Sequence, residues 1–188
     1  MSTFRSRRKG GVYAELPPHA ASLLNNLARQ LIELLSEGEA HQRVGEDPLE
    51  ALLDFGAPRD RPDDPALQRL LPDAHRDDEE AAAEFRRFTE GNLRQSKVHD
   101  ATVVVLCMGE VTDTDVEEFE FELDAVQARC WMRCLTDLRL ALAARLDIQT
   151  GAENAWENLP DDDERVPLFE IYGWLGYLLE SLVDAVRH

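Results

Sequence analysis

Positive charge is scarce in this sequence. Lysine and arginine number 20 against 38 aspartates and glutamates, for a net charge of −18. A body this acidic repels nucleic-acid phosphates, which disfavours direct nucleic-acid binding. It suits a basic protein partner, or solubility alone. Cysteine is also scarce, at three residues, too few for a disulfide-built scaffold. No apolar run approaches the ~20 residues of a membrane-spanning helix, so no membrane association is expected. The opening MSTFRSRRKGG is basic but lacks the apolar stretch of a secretory signal. These absences together point to a cytoplasmic protein with reduced thiols.

The motifs of several enzyme classes are missing as well. The sequence holds no G-x-S-x-G, no P-loop and no G-x-G-x-x-G after a strand. His19, His41, His75, His99 and His188 are scattered, and the single close cysteine pair has no His-x-x-x-His beside it. Acids at helix starts account for His75-Arg76-Asp77-Asp78 and for Asp161-Asp162-Asp163-Glu164. The reading is a non-enzyme with no catalytic residues, no cofactor and no metal.

What is present is helical patterning. Length and composition fit one domain over residues 1–188. Phe4–Arg7 and Val12–Leu16 flank Lys9-Gly10-Gly11, a hairpin signal because glycine takes positive φ cheaply. Pro18 then suits the first turn of a helix that carries Leu23, Leu24, Leu27, Leu31, Leu34 and Leu35 and stops at Gly38. Residues 39–64 read as a loop-rich, partly flexible insertion, with short helices expected at Pro48–Phe55 and, just beyond it, Pro65–Leu71. Acids 77–80 open the next helix, which Gly91-Asn92 breaks or kinks and Gly109 ends.

Phe119, Phe121 and Leu123 alternate with Glu118, Glu120 and Glu122, so 117–123 reads as a strand able to join the hairpin. Asp124 and Gln127 form a capping box for a helix from Ala125 to about Leu146. One further turn is expected at Glu153–Asn158. The last helix, with Pro167 near its start, carries a stripe of Leu168, Ile171, Tyr172, Leu175, Leu178, Leu179, Leu182 and Val186. So broad an apolar face fits the core or a homodimer interface. The fold class is mainly α with a small antiparallel β-sheet: a helical bundle core, and an N-terminal hairpin that pairs with the strand near 117–123.

Two features carry candidate chemistry. Cys130 and Cys134 share a helix face, with Cβ atoms about 5–6 Å apart, whereas a relaxed disulfide needs about 3.5–4.5 Å. The pair closes only by bending or unwinding the helix. As a redox pair it would be a strained switch, favoured by Arg129 and Arg133 if the sulfurs were exposed; otherwise it is two small buried side chains. Arg5, Arg7, Arg8 and Lys9 form the one basic cluster. Arg5 and Arg7 would share a strand face that contacts phosphate or an acidic partner, or that balances the chain's own acids.

Three segments are also familiar as text: RLLPDAHRDDEEAAAEFRRFTEGNLRQSK from Arg69, WMRCLTDLRLALAARLDI from Trp131, and YGWLGYLLESLVDAV from Tyr172. They resemble the DUF2017 family of actinobacteria, the AosR-type oxidative-stress transcriptional regulators. The resemblance covers most of the chain and is weakest over residues 39–64. It implies a cytoplasmic regulator that responds to oxidants and acts on transcription through protein contacts with RNA polymerase or a sigma factor. Family members are often encoded near the protease adaptor ClpS. This gives the alternative of a non-sensing binding or scaffold module in Clp-linked proteolysis. The family pattern around Trp131 has small residues such as alanine where Cys130 and Cys134 stand, so the resemblance does not assign a role to these thiols.

Overall fold

A computed structural model describes residues 3–8, 10–40, 61–74, 77–109, 118–148, 159–160 and 162–187. Its elements run β1 (Phe4–Ser6), β2 (Val12–Leu16), α1 (Pro18–Ala40), α2 (Pro65–Leu70), α3 (Glu79–Met108), β3 (Phe119–Leu123), α4 (Ala125–Arg145) and α5 (Val166–Arg187). The mainly helical fold with a small antiparallel sheet is the one the patterning predicts. The helices expected at Pro48–Phe55 and Glu153–Asn158 lie outside the described residues, as do Glu117 and most of the 39–64 insertion.

The sheet has the order β1-β2-β3, antiparallel throughout. Gly10 and Gly11, at φ 85° and 89°, turn the chain between the first two strands. Gly11 is needed for a second reason: a Cβ there would lie 2.8 Å from the Leu123 carbonyl oxygen. The register pairs Val12 with Leu123, Ala14 with Phe121 and Leu16 with Phe119. Val12, Ala14, Leu16, Phe121 and Leu123 face inward, and Glu118, Glu120 and Glu122 face solvent. β1 is fastened to α5 by its Phe4 amide, which donates to Ser181 Oγ at 3.0 Å.

The inner face of the sheet closes over Trp131 of α4, which is fully buried. Phe121 stacks on its ring at 4.9 Å between centroids, and Phe4 meets it edge-on at 5.9 Å. Leu24, Leu31 and Leu35 of α1, Ala101, Val104 and Met108 of α3, Leu135 and Leu138 of α4, and Leu175, Leu178 and Leu182 of α5 complete the same core.

Helix ends follow their capping chemistry. Asp124 accepts from the amides of Val126 and Gln127, and the Gln127 side chain accepts from the Asp124 amide, so the capping box is complete. Asp78 caps α3 by accepting from Ala81, and Asp64 caps α2 by accepting from Ala66 and Leu67. Gly109 ends α3 at φ 59°.

Three expectations need correction. α1 runs through Gly38 to Ala40, and α3 runs unbroken through Gly91 and Asn92 for 30 residues. A glycine inside a helix costs only about 1 kcal/mol relative to alanine. At Gly91 this is offset by tertiary packing and by the buried Glu90–Arg94 pair that spans it. The core stripe of α5 is also turned from the expected one. Leu175, Leu178, Leu182 and Ala185 are buried, whereas Leu168 and Val186 are exposed.

Candidate functional site

Where α3 lies against α4, ion pairs cross the edge of an otherwise apolar contact. Asp100 of α3 is 3% exposed, and its two carboxylate oxygens accept from Arg133 Nε at 2.7 Å and Nη2 at 3.0 Å. A bidentate pair of this kind is directional as well as charged. One turn away, Lys97 Nζ donates to Asp137 at 2.6 Å. One turn before Lys97, Arg94 donates to Glu90 at 2.8 Å and to the Leu35 carbonyl of α1 at 3.0 Å, so it ties α3 to α1. Burial pushes the Asp137 carboxyl up, and the neighbouring Lys97 only partly reverses this.

The two thiols of α4 flank this charged contact. Cys130 and Cys134 are each 1% exposed. Their surroundings differ. Cys134 belongs to the main apolar core. Cys130 faces polar groups: Arg133 Nη2 lies 3.8 Å from its sulfur, and Asp100 is adjacent. Burial pushes both thiols upward in pKa, and Asp100 adds to the effect at each. At Cys130 the Arg133 guanidinium acts in the opposite sense without prevailing. Cys107 of α3 is half-buried, and burial raises its thiol as well. In the folded chain burial thus favours the protonated form of all three thiols.

The N-terminal arginines lie on the outer face of the sheet. Arg5 bonds Glu15 at 3.0 Å, and Arg7 bonds Glu122 of β3. Arg8 is exposed, and Lys9 lies outside the described residues. Tyr13, between Glu15 and Glu120, is pushed up to about 12 by burial and by hydrogen bonding to those two acids. The structure thus separates Arg5 and Arg7, on the outer face of the sheet, from the thiol pair on α4.

A cleft of about 730 Å³ opens between α2 and the end of α4, lined in part by Arg61, Gln68, Arg69, Asp73 and Ile148. Its cations are already engaged, Arg69 with the Ile148 carbonyl at 2.9 Å and Arg61 with Asp73 at 3.6 Å.

Asp100 was not singled out from the sequence, nor was its pairing with Arg133. The partners are 33 residues apart, and an acid within a helical charge pattern reads as solvated. One signal was available: Asp100 falls on the same helical face as Ala101, Val104 and Met108, all buried. Among the described residues, no helix is long and apolar enough to cross a membrane.

Comparison with known proteins bears on this arrangement as a whole. The chain is 32% identical over 180 residues to the oxidative stress regulator AosR of Mycobacterium bovis, and equally to that of Mycobacterium tuberculosis. The match takes in 90% of this chain and 79% of each relative. No solved structure matches it. The family model described as a domain of unknown function, DUF2017, matches residues 1–186, so hairpin, helices and thiol-bearing contact all fall within it, and the chain belongs to the DUF2017 family.

Proposed function

We propose that this protein is a non-enzymatic cytoplasmic regulator of the response to oxidants, acting on transcription through protein contacts with RNA polymerase or a sigma factor. The observation that carries the reading is the 32% identity, across nine-tenths of the chain, to proteins named oxidative stress regulators. The net charge of −18 supports a protein partner over a nucleic acid, since phosphates are repelled.

In this reading Cys130 and Cys134 are the redox pair: buried and protonated in the resting fold, they meet peroxide only when α4 opens locally and exposes them. Peroxide takes two electrons and two protons from the thiols, leaving one disulfide and two waters. The new bond must draw the Cβ atoms from about 5–6 Å to about 3.5–4.5 Å, which α4 accommodates only by unwinding locally. Unwinding there moves Trp131 and Arg133, and so disturbs both the sheet contact and the bond to Asp100.

The test is affinity purification of the full chain from cells with and without peroxide. RNA polymerase or a sigma factor retained mainly after peroxide is the expected result. Recovery of Clp components alone would overturn it in favour of a proteolytic scaffold. Peptide mapping of the same samples checks the switch itself. A Cys130–Cys134 disulfide is expected after mild peroxide, and thiols that stay unreacted in the folded chain would refute this pair.

A further inference from the structure

The geometry points to a binding site for a thiophilic divalent cation of the zinc class, formed by His99 and Asp100 of α3 and Cys130 of α4. A histidine nitrogen, a carboxylate oxygen and Sγ from these three residues lie within 4.8 Å of one another. Asp100 and Cys130 are buried, and His99 is exposed at the edge of the contact. The inference does not depend on the regulatory reading above.

Sequence spacing concealed the site. His99 and Asp100 are neighbours, and Cys130 is far along the chain, so no two ligands fall at the short intervals of a zinc motif. Helix packing brings them together. Zinc–ligand bonds of about 2.0–2.3 Å imply donor atoms about 3.3–3.8 Å apart in a tetrahedral site. The three donors must therefore close in by about 1 Å, starting from their present spacing. His99 can do this because its ring is exposed.

Asp100 need not release Arg133. A carboxylate has about four lone-pair sites and Arg133 occupies two, which leaves room for the ion while the guanidinium fixes the ligand's orientation. The donor set of one sulfur, one nitrogen and one oxygen selects a zinc-class ion over calcium or magnesium, which prefer oxygen alone. Binding expels the Cys130 proton; the thiolate and carboxylate then face the dication and Arg133 together, leaving one net positive charge that an anionic fourth ligand would cancel. Three protein ligands leave a fourth position, on the solvent side beside His99, for water or a donor from another molecule.

Cobalt(II) titration of the full, reduced, metal-stripped chain tests this directly. A thiolate-to-cobalt charge-transfer band should grow and saturate at one ion per chain, and zinc should abolish it. His99→Gln and Cys130→Ser should each weaken binding by about tenfold or more, the scale on which metal sites respond to altered ligation. Cys107→Ser and Cys134→Ala should leave the band in place. His99 is exposed, so His99→Gln keeps its fold and remains informative even if Cys130→Ser does not. Absence of the band, a band that follows Cys107, or uptake of many ions indifferent to His99 would each overturn the assignment.

Discussion

Helix α4 has two sides with different chemistry. One side holds Trp131, Leu135 and Leu138 against the sheet and the apolar core. The other holds Cys130, Arg133 and Asp137 against the charged groups of α3. The first side gains from removing apolar area from water, at roughly 25 cal/mol per Å². It has no preferred partner beyond shape. The second gains less net energy, because desolvating charge offsets much of the attraction. In return it fixes one register of α3 against α4, since Asp100 and Arg133 meet only in that alignment. Each thiol takes the character of the side it leans toward. Cys134 behaves as a core residue, and Cys130 is a polar neighbour with two ionic partners in reach.

Four experiments would break or sharpen this contrast. The largest effect is expected from Trp131→Ala, which should cost about 3–5 kcal/mol in urea unfolding, as for large aromatic truncations in cores. A loss under about 1 kcal/mol would mean the aromatic cluster does not anchor the sheet.

Next, the two ends of the ionic pair should respond unequally. Arg133→Ala strands a buried carboxylate and should cost about 2–3 kcal/mol, below the 3–5 of fully buried pairs because Arg133 is 59% exposed. Asp100→Asn leaves Arg133 free to turn to water and should cost less, about 1 kcal/mol. Equal losses would show that the buried position of Asp100 does not govern the pair.

The thiols give the third comparison. Cys134→Ser places a hydroxyl in an apolar site and should cost about 1–3 kcal/mol. Cys130→Ser places it beside Arg133 and Asp100, where it can hydrogen-bond, and should cost under about 1 kcal/mol. The order of the two thermal midpoints decides the matter.

The smallest effect lies at the far end of α4, where Arg145 bonds Asp64 at 2.6 Å. Burial pushes the Asp64 carboxyl up, but Arg145 and the amides of Ala66 and Leu67 outweigh it and hold the group below its usual 3.8. A carboxyl lowered on folding stabilises the fold above its unfolded value and loses that contribution as pH falls through the folded one. Stability of Asp64→Asn, set against the parent, should therefore differ by about 0.5 kcal/mol at neutral pH and converge in acid below pH 3.8. A gap independent of pH would assign the effect to capping alone.

Much of the fold could be read from local signals. The Gly10-Gly11 turn, the period-two stretch ending at Leu123 and the Asp124–Gln127 capping box each act over a few residues, so the sequence displays them. The helix passing through Gly91 could not be read, because what holds it is contact with α1 and α4 from elsewhere in the chain. The same reason hid the candidate site. Cys130 and Cys134 were identifiable by spacing, but what distinguishes them, Asp100 and Arg133 beside one and apolar packing around the other, comes from helix packing. Leu106 is the converse case: an apolar residue of α3, it is 72% exposed, because the face α3 buries is the one carrying Asp100, Ala101, Val104 and Met108.

Gly11 connects these levels. The room left by its missing side chain admits the carbonyl of Leu123. The next residue, Asp124, caps α4. The hairpin turn therefore lies against the residue that leads into the first turn of α4, seven residues before Cys130. An alanine at position 11 would not touch the thiols, yet it would press on the carbonyl just before the helix that carries them.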